Sequence, residues 1–116
     1  MILGRHQFPR CLDRPEVRGV FVGGCVKRGE GSRFRAKAHS HIGSGHLYSG
    51  WICFLSWRRL VDQPLVLHEL AHILTGGGHD DAWRAKVLEI GGTLDPVAER
   101  TGNGSLLKSY HKNKKT

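Results

Sequence analysis

The stretch from Asp62 to His79 restricts the fold more than any other part of the chain. Asp62 suits a helix N-cap, and Pro64 falls in the first turn, where its missing N–H costs little. The helix so started runs to about Thr75. Leu67, Leu70, Ala71 and Leu74 recur at i, i+3, i+4 and i+7 and define its core face. His68 and His72 border that stripe, one turn apart on the same side. Two imidazoles so placed can grip one Zn²⁺, with Glu69 beside them as general base.

Gly76, Gly77 and Gly78 then interrupt the helix ahead of His79. On a continued helix His79 would lie about 10 Å along the axis from His72, beyond a shared ion. Glycines can end the helix in left-handed conformations and turn the chain back, which brings His79 to the pair as third ligand. A carboxylate, Glu89 or Asp80, is the rival for that third position. Asp80 or Asp81 can cap a second helix, Ala82 to about Ile90, with Trp83, Val87 and Ile90 on its buried side and Gly91-Gly92 at its end. Trp83 suits either a cleft wall or a core tryptophan. Asp80 suits either a group that orients a ligand histidine or a cap. By residue type alone, Tyr48, His46 and Tyr110 are candidates for an oxyanion stabiliser.

Ahead of the helix the pattern is that of strands and turns. Residues 1–16 are basic and broken by Pro9 and Pro15, with Leu3, Phe8 and Leu12 available to dock on a core. Val17–Val22 reads as a strand that Gly23-Gly24 bends before Cys25. Lys27–Ser32 has the composition of a turn. In Arg33–His39 basic and apolar residues alternate, the mark of a half-buried strand with Phe34, Ala36 and Ala38 inward. Ser40–His46 is a loop with three histidines in and beside it, lacking a helix or cysteine partner to make it a metal site. Trp51–Ser56 resumes strand character as an apolar run, expected to be buried on both faces beneath the helix.

Of the 116 residues, 1–60 carry eleven Lys/Arg against three Asp/Glu, and 61–100 carry three against seven. The last sixteen residues add four lysines. The basic half favours a polyanionic partner such as DNA, and Arg33, Arg35 and Lys37 are its best local candidates for phosphate contact. Cys11, Cys25 and Cys53 are odd in number, widely spaced and without a Cys-x-x-Cys pair, so reduced thiols and no cysteine-based zinc are expected. Length allows one domain over residues 1–100, followed by a basic, flexible tail at 101–116. No apolar run can span a bilayer and no signal peptide is evident, so a cytoplasmic, monomeric protein without membrane contact is expected.

The segments His68-Glu69-Leu70-Ala71-His72 and His79-Asp80-Asp81-Ala82-Trp83, with Leu88 and Gly91-Gly92 behind them, resemble the SprT-like zinc metallopeptidases. That group includes the Spartan and Wss-type proteases, which digest proteins crosslinked to DNA. The likeness covers about residues 60–92. The loop between His72 and His79 is short, nearer the Wss-type spacing, and no zinc ribbon follows. The resemblance implies an α+β fold with a small zincin-like core: a short antiparallel or mixed sheet of about three strands packed on the HExxH helix and a second helix. It implies one Zn²⁺ on His68, His72 and His79, with Glu69 catalytic, and hydrolysis of a protein or peptide substrate, with DNA-associated proteins as one class. The alternatives are a nucleic-acid-binding module with a structural zinc, and a phage or host-regulator peptidase without DNA dependence.

Overall fold

In the computed structural model, residues 1–43 and 45–94 are described. The basic tail and Tyr110 lie outside them. Among the described residues five short strands precede three α-helices: β1 (Gly19–Val22), β2 (Gly24–Cys25), β3 (Gly29–Glu30), β4 (Ala38–Ser40), β5 (Trp51–Phe54), α1 (Trp57–Leu60), α2 (Gln63–Thr75) and α3 (Asp81–Glu89). The architecture is α+β, with a mixed three-stranded sheet of order β1-β5-β4 and a separate β2-β3 hairpin.

β5 is the central strand, parallel to β1 and antiparallel to β4. Both its faces are covered, which explains an apolar run where an edge strand would alternate. Val20, Val22, Ile52, Phe54 and Ala38 share one core with Leu65, Val66, Leu67 and Leu70 of α2. Phe21, Cys25 and Cys53 form a second cluster with Phe34, Val26 and Trp51. Gly19 is required where β1 meets β5, since a Cβ there would stand 2.3–2.4 Å from the Trp51 indole.

The N-terminal segment covers the outer edge of β1 through an Ile2–Phe21 bridge and a Leu3 N–H to Val20 O bond. Leu3 and Leu12 are buried and Phe8 packs on the core, as the sequence suggests, but the local structure is two turns of 3₁₀ helix, Arg5–Gln7 and Arg10–Leu12. β4 ends the sheet on the other side, next to α2.

The strand expected over Arg33–His39 is corrected. Only Ala38–Ser40 is extended and paired, while residues 33–37 are irregular. The partner strand supplies the reason. β5 ends at Phe54, Leu55 donates a last bond to Lys37 O, and α1 begins at Trp57, leaving residues 33–36 no ladder to join. Among the described residues no helix is long and apolar enough to cross a membrane.

Candidate metal centre

Asp62 caps α2, its Oδ1 accepting from Leu65 N at 3.5 Å, and Pro64 lies in the first turn. The helix buries every residue from Leu65 to Ala71, so its apolar face is wider than the heptad stripe alone. His68 is only 3% exposed and belongs to the interior, not to the border of the stripe. At the far end Gly76 takes the left-handed conformation (φ 71°) and returns its N–H to His72 O. Gly76 alone of the three glycines makes that turn.

The reversal has two consequences for the histidines. It lays Gly77 O 2.8 Å from His72 Nδ1, so the ring donates there and its Nε2 carries the lone pair. It also delivers His79, whose Nε2 lies 2.9 Å from His68 Nε2 and 3.0 Å from His72 Nε2. The third side of the triangle, His68 to His72, is 3.3 Å.

α3 forms the back of this site. Asp80 caps it, Oδ1 accepting from Trp83 N at 2.9 Å. Trp83 Nε1 donates to His68 O at 3.2 Å, and its ring lies 4.8, 5.4 and 4.4 Å from those of His68, His72 and His79. At 1% exposure Trp83 is the buried support of the triad and does not wall the cleft. Glu89 is exposed at the end of α3 and paired with Lys86, Asp80 gives Oδ1 to the Trp83 N–H, and neither carboxylate joins the group formed by the three histidines.

Burial, reinforced by the neighbouring rings, pushes His68 and His79 down to about 3. His72 is lowered too, again chiefly by burial, with Gly77 O and the Asp80 carboxylate acting against it. Three neutral imidazoles therefore converge. The His72 Nε2 lone pair faces the other two rings, an arrangement that suits a shared cation. The spacing fits: a tetrahedral ion bound at about 2.0–2.1 Å separates its ligand nitrogens by about 3.3 Å.

Glu69 lies beside them, its Oε2 3.9 Å from His68 Nε2. Burial raises its carboxyl to about 7, against the lowering effect of Ser40. Ser40 Oγ stands 2.7 Å from Glu69 Oε1 and 3.0 Å from Glu69 O. The ionised carboxylate accepts the hydroxyl proton. The neutral acid can donate to Oγ while the hydroxyl turns to the carbonyl. A cleft of about 190 Å³ opens here, lined by Glu69, His72, Gly77 and Gly78 on one side and by His39, Ser40 and Ile42 on the other.

The remaining sequence candidates stand apart. Tyr48 packs near Trp51, His46 bonds Ile42 O, and neither lines the cleft. Arg33 and Arg35 are exposed and Lys37 half-buried, on the irregular segment before β4 and not along a strand face.

Two features escaped the sequence reading. Ser40 continues the inward parity of Ala36 and Ala38, and that parity was the available signal. The second is a group that gathers Cys25, His39, His41 and Cys53, with ligand atoms all within 4.8 Å of one another. It corrects the expectation that the cysteines and the loop histidines have no metal-binding arrangement. The described residues thus hold two groups that could bind a metal ion, this one and His68, His72 and His79.

No family model, curated protein or solved structure matches the chain.

Proposed function

We propose that the chain is a zinc-dependent endopeptidase with a small zincin-like core of the SprT-like kind. The observation that carries this reading is the convergence of the His68, His72 and His79 Nε2 atoms within 2.9–3.3 Å, with the Glu69 carboxyl buried beside them. His68, His72 and His79 would hold the ion, which when bound supplies Lewis acidity toward a water and a scissile carbonyl.

The chain's own groups do the rest. Glu69 takes the proton of the attacking water at Oε1 or Oε2 and passes it to the leaving amine. Burial raises the Glu69 carboxyl and so strengthens it as a base, and the Ser40 hydroxyl acts against that. Ser40 stabilises the ionised form through its hydroxyl and can follow the change of protonation without moving. Gly77 O holds the His72 ring in one tautomer, and Trp83 fixes the backs of all three rings. β4 ends the sheet beside the cleft, and an extended peptide could add to that edge through main-chain hydrogen bonds.

A second reading, DNA association, has one specific support: Arg33 and Arg35 are exposed within the basic N-terminal half. It makes DNA-associated basic proteins the favoured substrates. The test is cleavage of casein and of histones by zinc-loaded protein, with and without DNA and with a chelator. Zinc-dependent cleavage supports the endopeptidase, and stimulation by DNA that fades with salt supports the substrate class. Absence of cleavage from fully zinc-loaded protein would leave a structural zinc in a binding module.

A further inference from the structure

On the sheet face turned away from the catalytic helix, four side chains from three parts of the chain converge. His39 and Cys53 are directly opposite each other in the β4–β5 ladder. His41 lies two residues past His39, its N–H bonded to Trp51 O, and so points to the same side. Cys25 comes from β2, packed over β5. We propose that Cys25, His39, His41 and Cys53 form a second zinc site, structural in kind, that fastens the β2-β3 hairpin to the sheet.

Distances, surroundings and charge support it. His41 Nε2 stands 3.4 Å from Cys53 Sγ and 3.6 Å from Cys25 Sγ. A tetrahedral ion with Zn–S of about 2.3 Å and Zn–N of about 2.0–2.1 Å calls for about 3.5 Å between those atoms. Burial pushes the Cys53 thiol up to about 12 in the metal-free chain, and the Val26 N–H, 3.4 Å from Cys53 Sγ, acts the other way, toward the thiolate a metal needs. Phe21, Phe34, Val26 and Trp51 enclose the cysteine side in apolar surface. Two thiolates and two neutral imidazoles cancel the charge of a divalent ion, so the filled site is neutral in that setting. Thiolate donors favour zinc over magnesium or calcium. Four protein ligands leave no open position for water, which makes the site structural and not catalytic.

The site has a consequence for the cleft. His39 and His41 flank Ser40, whose side chain crosses to the other face and meets Glu69. An ion that fixes both histidines fixes the register of the hydroxyl between them. The hairpin strands are two residues each, too short to hold their place by ladder bonds alone. A metal clip there contributes folding free energy directly.

The test is metal stoichiometry combined with a Co²⁺ spectrum of reduced, chelated protein. Two zinc ions per wild-type chain are expected, and cobalt should give a thiolate-to-metal charge-transfer band for one of two equivalents. His68→Ala/His72→Ala should keep that band and one ion. Cys25→Ser/Cys53→Ser should lose the band and keep the other. Should the cysteine variant not fold, the wild-type and histidine-variant spectra decide alone. Absence of a thiolate band from both would overturn the proposal, as would a Cys25–Cys53 disulfide in the freshly purified, metal-loaded chain. One zinc lost with the cysteines but not with His68 and His72 would support this site and overturn the catalytic one.

Discussion

Ser40 Oγ, on the sheet's edge strand, lies 2.7 Å from Glu69 Oε1, the acid of the HExxH helix. It joins the two halves of the cleft and sets the proton affinity of the group expected to move protons. Burial raises that affinity, and the hydroxyl lowers it.

Ser40→Ala removes the partner that lowers the Glu69 carboxyl and should push that carboxyl up. A hydrogen bond to a charged group is worth about 1.5–3 kcal/mol, so the acid limb of the kcat/KM profile should move up by about 1–2 pH units. Zinc content should not change. The pH–rate profile checks this, and an unmoved acid limb would deny Ser40 its role.

His79→Ala should abolish zinc retention on His68 and His72 through dialysis, whereas Glu89→Ala should leave it intact, because Glu89 is solvent-exposed and paired with Lys86. In variants that also carry Cys25→Ser/Cys53→Ser, metal analysis reads this site alone. Retention without His79 combined with loss without Glu89 would reverse the ligand assignment.

Gly76→Ala places a Cβ at φ 71° with no atom near enough to clash, so the cost is conformational alone. That cost is about 1–2 kcal/mol. Because the turn carries both Gly77 O and His79, zinc affinity should fall along with thermal stability. Calorimetric unfolding and competition with a metal chelator would measure the two effects separately.

The metal-free protein should be acid-sensitive. His68 and His79 sit at about 3, below their ordinary 6.5, so the unfolded chain takes up their protons first and stability falls from about pH 6.5 down to about 3. Glu69 acts in the opposite sense: raised from 4.5 to about 7, it binds a proton in the folded state first, and this adds stability as pH falls from about 7 to 4.5. The steepest net loss therefore lies below 4.5. Glu69→Gln removes the buried carboxylate and should stabilise the chelated protein by about 3 kcal/mol at pH 8, with little difference left at pH 4.5. Denaturant melts at the two pH values would show it.

Much of the site was legible because it is local. The Asp62 cap, Pro64, the apolar stripe and the glycines are neighbours in sequence, and helix geometry converts their spacing directly into position. His79 followed from the same logic, since only a chain reversal brings it to His72. Strand pairing was less accessible. The alternation in residues 33–37 is real, with Arg33 and Arg35 outward, but whether a strand forms depends on a partner, and β5 stops short. Ser40 and the Cys25, His39, His41 and Cys53 group depend on registers such as His39 opposite Cys53, which no single segment encodes. α1 docks on the core through Leu60, a tertiary contact.

The most direct test of the central claim is the turnover of zinc-loaded Glu69→Gln on a peptide substrate that the wild type cleaves. The isosteric amide keeps the histidines and their ion but cannot accept the water's proton. Zinc content equal to wild type, with a rate lower by about 10²–10⁴, is the expected result. Cleavage at the wild-type rate would contradict the account.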